Sequence, residues 1–231
     1  MKLLFSIVVL SLPVQALAHL TWIDAGKNSM GLSTGHNFPA KEIPVKGEYV
    51  ESIRCLGTDV VAFELQFDQK TVRYPYPEKT VNCVAKLKTT QIELSSAQGV
   101  AHFEENKVSK LLVDKARINK RFSEEYFKLS QIKPVEIGSL LYNPDVAQFV
   151  YKPGELSHNI YVYKNGMPLA GLPVGLEYPE TPITLWSNTD NQGKVTLLLQ
   201  PKSKALLRTL ISEEVDKGFK SQFLSVTLSP K

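Results

Sequence analysis

What most limits the fold of this chain is how its C-terminal third is cut into short alternating runs by turn residues at close intervals. In SHNIYVYKNGMPLAGLPVGLEY (157–178), apolar and polar residues alternate through Ile160 and Val162 and then meet Asn165-Gly166. That pair fits a two-residue hairpin loop, because both central positions need φ > 0. Pro173 and Gly175 restrict the second strand to an edge or a bulge. SNTDNQGKVTLLLQP (187–201) repeats the logic, with a turn over 190–193 and a buried strand over 195–199. KALLRTLI (204–211) and SQFLSVTLS (221–229) supply two more strands.

Strands at this spacing predict a β-sandwich of the transthyretin or immunoglobulin type. It begins near Asn143-Pro144 or Lys152-Pro153-Gly154, so the second domain is 143–231. The preceding part, 19–142, reads as mixed but mainly β. VVAFELQF (60–67) and VNCVAKLKTTQIEL (81–94) are strand-like, and FSEEYFKLSQ (122–131), with Ser123 as a cap, is a short helix. The fold expected is therefore mainly β: two β-sandwich-like domains, the first with a short helical insertion. The basic stretch 107–121 reads as a docking patch or, more simply, a solvated helix face.

Residues 1–18 have the form of a secretory signal. Lys2 provides the positive start, an apolar run extends to Val14, and Ala16-Leu17-Ala18 fits a small-x-small cleavage rule. The run is too short to span a bilayer, and no later one approaches 18 apolar residues. The expectation is a soluble, exported, periplasmic protein of about 213 residues, long enough for one large domain or two small ones. The formal net charge of +4 is too slight to argue for nucleic acid. In an oxidising compartment Cys55 and Cys83 are expected to pair, the alternative being a two-thiolate metal site.

Cleavage after Ala18 leaves His19 at the N-terminus. Its α-amine and Nδ1 can close a chelate ring on one metal ion, and the amine titrates low enough for a divalent metal to displace its proton. Nitrogen donors of this kind suit copper, nickel and zinc. His36, bracketed by Gly35 and Pro39, lies on a loop or strand end and is the expected second imidazole. His102, in GVAHFEEN on an expected strand, is a candidate third ligand. His158 reads as structural, Trp22 as packing, and Asp24 as a possible flank of the site. Catalytic signatures are missing: GLSTG (31–35) has the wrong spacing for a nucleophile elbow, and there is no P-loop, dinucleotide turn or C-x-x-C. NTDNQG (188–193) lacks the acidic run of a calcium loop. No enzymatic activity is expected.

AHLTWIDAG, GHNFPAKEIPVKGEYVESIRCLG, GSLLYNP, YKPGEL, VYKNGMPLAGLPVGLEY and NTDNQGKVTLLL occur in that order along the chain. The series resembles the bacterial periplasmic family labelled as a nickel-uptake substrate-specific component, whose C-terminal module is transthyretin-like. The resemblance implies an exported two-part β protein working beside a metal importer or outer-membrane receptor, with His19 and His36 matching the family's Ala-His and G-x-x-F-P segments. The cargo would be Ni²⁺, Co²⁺ or Cu²⁺, held by the protein and passed to a transporter. Two other readings stay open: an envelope scaffold module contacting a receptor or glycan without metal, and a histidine-brace copper oxidase.

Overall fold

The structure is a computed structural model that describes residues 20–26, 28–35, 38–39, 43–59, 62–76, 80–139, 141, 143–155, 159–179, 181–196 and 204–229. With 56% strand against 12% helix, it is mainly β with a short helical insertion. From the N-terminus, β1 (Leu20–Ala25), β2 (Ser29–Gly35) and β3 (Ile43–Pro44) lead through one 3₁₀ turn into β4 (Val50–Gly57). Next come β5 (Ala62–Glu64), β6 (Arg73–Pro75), β7 (Thr80–Leu87) and β8 (Thr90–Ser95). Helices α1 (Ser96–Glu105) and α2 (Lys110–Ile118) precede β9 (Arg121–Gln131) and β10 (Val135–Glu136). The rest is β11 (Gln148–Tyr151), β12 (Tyr161–Lys164), β13 (Met167–Pro168), β14 (Pro173–Tyr178), β15 (Thr181–Asn188), β16 (Ala205–Val215) and β17 (Gly218–Leu228).

A nine-stranded sheet is the centre of the molecule, in the order β15-β14-β16-β17-β9-β7-β4-β5, with β8 also on β9. β9 and β17 pair in parallel over eight residues, from Phe219↔Glu124 to Val226↔Gln131. One sheet therefore holds strands from both sides of position 142. Its first face packs on the small β10–β13 sheet, burying Leu129, Leu207 and Leu224 against Phe149, Val150 and Val162. Its second face carries β1, β2, β3 and β6 over β4 and β7, with Ile23, Met30 and Leu32 on Ile53, Cys55 and Ala85. Beside them, α1 and α2 cover Phe122, Leu210 and Phe219.

The hairpin expected at Asn165-Gly166 joins β12 to β13, with φ of 54° and 71° at the two turn residues. Asp190 turns the chain as expected, its Oδ1 accepting from the N–H groups of Gln192 and Lys194. The strands read at 204–211 and 221–229 are β16 and β17. Pro173 opens β14, where no ladder donor is needed, and the bulge falls between Leu176 and Tyr178. β14 lies between β15 and β16 and is no edge strand. Of the strand expected over 60–67, only Ala62–Glu64 is a strand among the described residues, and Asp68 folds the following chain into a turn with Lys70 and Thr71. The single run read at 81–94 is two strands, β7 and β8, that share one edge of β9. Val195 makes an isolated bridge to Thr189, and residues 197–199 lie outside the described set.

The helix expected at 122–131 is β9, and the helices lie just before it. Ser95 and Gln98 form a capping box that starts α1: the Ser95 hydroxyl accepts from the Gln98 N–H, and the Gln98 side chain accepts from the Ser95 N–H. His102 thus sits in the last turn of α1, not on a strand. Gly99 lets α1 lie close on β9, since a Cβ there would stand 2.2 Å from Phe122. β9 is bonded on both edges, and Phe122, Glu124, Tyr126, Lys128 and Ser130 all point, buried, to one face. Polar residues at inward strand positions give that segment its helical appearance.

Cys55 and Cys83 are Cα partners on β4 and β7, 4.1 Å apart, and are joined by a disulfide. The two sulfurs are bonded to each other, so they form no thiolate metal site. Closing the 28-residue separation contributes about 3–4 kcal/mol in the chain-entropy treatment.

Candidate functional site

β1 crosses the second face of the large sheet, and its position is fixed from both edges. On one edge it pairs with β2 in the antiparallel register Leu20↔Gly35 through Ala25↔Met30. On the other, hydroxyls of the sheet beneath take the place of a strand. Ser130 and Ser225 donate to the Thr21 carbonyl at 3.1 and 2.6 Å, and Thr227 donates to the Ile23 carbonyl at 3.2 Å. Trp22 is the packing residue the sequence suggests: 1% exposed, against Leu206 and edge-on to Phe38 at 5.7 Å. Asp24, half-buried at the far end of β1, meets Lys204 at 3.3 Å.

Replacing both Ser130 and Ser225 by alanine leaves the buried Thr21 carbonyl without those donors and is expected to cost about 1–3 kcal/mol. Urea unfolding gives the cost. Amide exchange should quicken selectively in β1, and protection unchanged there would show that the hydroxyls do not hold the strand.

Beside the start of β1 is a recess of about 290 Å³, its open mouth included, walled by β1, the end of α1, β9, β16 and β17. Two cationic side chains line it. Lys128, 8% exposed, stands over the rings of Phe223 at 5.5 Å and Tyr126 at 6.0 Å. Burial lowers its pKa from 10.5 to about 8. Arg208 is anchored: its Nε donates to Glu177 at 2.5 Å, its Nη1 to Asn106 Oδ1 at 2.9 Å, and its plane lies 4.8 Å from the Trp186 ring. Thr21 Oγ1 is buried with no hydrogen-bond partner among the described residues.

Further along the same face of β9, His102 Nε2 stands 3.2 Å from Glu124 Oε2, both side chains buried. The two groups are in polar contact, yet neither carboxylate oxygen has an aligned hydrogen-bond donor among the described residues. Phe103, Phe122 and Phe223 surround the imidazole, with ring centres 5.7–6.1 Å away.

Of the expected metal ligands, His102 is therefore a buried helix residue facing one carboxylate. His19 and His36 lie outside the described residues, as does His158. Among the described residues no group of three or more His, Cys, Asp or Glu side chains is placed to hold a metal ion. None of their helices is long and apolar enough to cross a membrane. Sequence reasoning missed Lys128, Glu124, Arg208 and Glu177. For the first two, the available signal was that Glu124 and Lys128 share one parity with Phe122 and Tyr126, which acquires meaning only once that segment is read as a strand. No protein-family model, no curated protein and no solved structure matches the chain.

Proposed function

We propose that the protein is a periplasmic accessory of a transition-metal uptake system, holding Ni²⁺, Co²⁺ or Cu²⁺ through the α-amine and imidazole of an N-terminal His19 together with His36, and passing the ion to a membrane or outer-membrane transporter. The supporting observation is the register of β1 and β2. Leu20 and Gly35 are Cα partners, and His19 and His36 are their next neighbours in sequence, on the side away from the turn. Antiparallel partners lie about 4.5–5.5 Å apart, which sets the spacing of Leu20 and Gly35. The hydroxyls of Ser130, Ser225 and Thr227 support the reading by fixing the strand that leads to the terminus.

Intrinsic ligand preference favours copper at such a site, whereas the family resemblance favours nickel or cobalt. The test is calorimetry with Ni²⁺ and Cu²⁺ on protein whose N-terminus is verified as His19. His19→Ala, or one extra residue before His19, is expected to weaken binding at least a hundredfold, and His36→Ala at least tenfold. Binding should also fade below about pH 6, where the amine and imidazoles hold their protons. Affinity left intact by all three changes would remove the site from this end of the molecule.

A further inference from the structure

We propose that the outer face of α2 docks on an anionic lipid surface, with Leu111 and Ile118 entering the headgroup layer and the lysines around them meeting lipid phosphates. α2 is apolar on two sides. Val113 and Ala116 are buried with Phe103, Phe122 and Phe219, which holds the helix flat against the sheet. Leu111 and Ile118, seven residues apart and so two turns along one side, are 69% and 76% exposed. They are the two most exposed large hydrophobic side chains among the described residues. A lone exposed aliphatic needs no explanation. Two aligned on the outer side of a helix whose inner side is already packed leave an apolar strip open to a partner.

Charge is concentrated at the same place. Residues 96–121, which include both helices, hold six Lys and Arg against three Asp and Glu. With Lys2 set aside, the basic and acidic residues of the rest of the chain balance, so this insertion carries all the net positive charge that remains. Three of its cations are answered: Lys115 by Glu214 at 2.9 Å, Arg117 by Asp114 at 3.0 Å and Glu104 at 3.3 Å, and Arg121 by Glu93 at 3.8 Å. Lys107, Lys110 and Lys120 are exposed, with no ion-pair partner among the described residues. Glu213 and Asp216 stand with Glu214 near the β16–β17 turn, on the Lys115 side of the helix.

The chemistry favours a bilayer over a folded partner. A stable protein interface needs about 1,000 Å² or more of matched surface, and two aliphatic side chains on a nine-residue helix fall well short of that. A lipid surface asks for less. A few apolar side chains at the headgroup boundary, ringed by lysines on flexible stems, give weak and reversible attachment. Cations without fixed partners suit fluid lipid phosphates, which impose no set geometry, and each lysine near an anionic leaflet strengthens binding about fivefold. The docking face stands whether or not His19 holds a metal.

The experiment is vesicle flotation of the metal-free protein, with vesicles of phosphatidylglycerol mixed with phosphatidylcholine and vesicles of phosphatidylcholine alone. The mixed vesicles are expected to bind at least tenfold more tightly, and salt at about 0.5 M should remove most of that difference. Leu111→Ser with Ile118→Ser should weaken binding at least tenfold, as should Lys107→Gln, Lys110→Gln and Lys120→Gln together. All five positions are outside the core, and circular dichroism checks each variant's fold. Met167→Ser, which removes an exposed apolar side chain elsewhere, should bind as the wild type does. So should His19→Ala, which separates this face from the metal reading. The proposal is overturned if the mixed vesicles do not bind, if either set of α2 variants keeps the wild-type affinity, or if Met167→Ser weakens binding as much as they do. Self-association in the ultracentrifuge that is lost in the Leu111/Ile118 variant, without vesicle binding, would also overturn it and assign the face to a second copy.

Discussion

Replacing His102 with leucine is expected to lower the unfolding free energy by about 3–5 kcal/mol at neutral pH, although leucine fits an aromatic environment better than imidazole does. The loss comes from Glu124. Its side chain is 0% exposed, and its near polar contact is the His102 Nε2 at 3.2 Å. Without the imidazole, a carboxylate remains in a low-dielectric layer between α1 and β9. Removing both partners reverses the effect: His102→Leu with Glu124→Met is expected to match the wild type or exceed it by about 1–4 kcal/mol, since among the described residues neither oxygen has an aligned donor to lose. Urea unfolding of the wild type, both single variants and the double closes the cycle. Strict additivity would mean that the two groups are not coupled, and a His102→Leu cost below about 1 kcal/mol would mean that Glu124 reaches water.

How much of this was legible in the sequence follows from which residues carry local rules. Asn165-Gly166 and Asp190–Gly193 fix their own backbone geometry, so the hairpin and the turn were readable without tertiary knowledge. The cysteine pairing was readable from the expected compartment. β9 was not, because its inward positions are occupied by Glu124 and Lys128, whose partners come from α1 and from β17, far along the chain. The same blindness hid the recess: it exists only because β9 and β17 pair in parallel across almost a hundred intervening residues, and no local pattern announces such a pairing. The signal that would have relocated the helix was present in Ser95-x-x-Gln98, a capping box immediately before the amphipathic run. The candidate metal ligands were legible only as residue types. The β1–β2 register, which pairs Leu20 with Gly35, was not supplied by the sequence.

Lys128→Met is expected to stabilise the protein, with a gain that depends on pH in a stated direction. In the folded chain the Lys128 pKa is lowered to about 8 by desolvation, against 10.5 for the unperturbed group. Below pH 8 the lysine is charged in both states, and the folded state bears the full cost of burying that charge. Between pH 8 and 10.5 the unfolded chain keeps the proton that the folded chain has released, so wild-type stability rises with pH through this window. The rise amounts to at most about 3 kcal/mol, and the cation–π contacts to Phe223 and Tyr126 are already part of the folded state being titrated. Buried tyrosines act in the opposite sense at higher pH. Tyr74 and Tyr161 are pushed up to about 12, so the unfolded chain ionises first above pH 10 and the fold weakens there. The comparison therefore belongs between pH 7 and 9.5, with guanidinium unfolding followed by tryptophan fluorescence. The variant should exceed the wild type by about 2–3 kcal/mol at pH 7, with the gap narrowing steadily as pH rises past 8. A gap that stays constant across that range would mean that the lysine is solvated, and a variant less stable than the wild type at pH 7 would mean that its ammonium is held by contacts stronger than its burial.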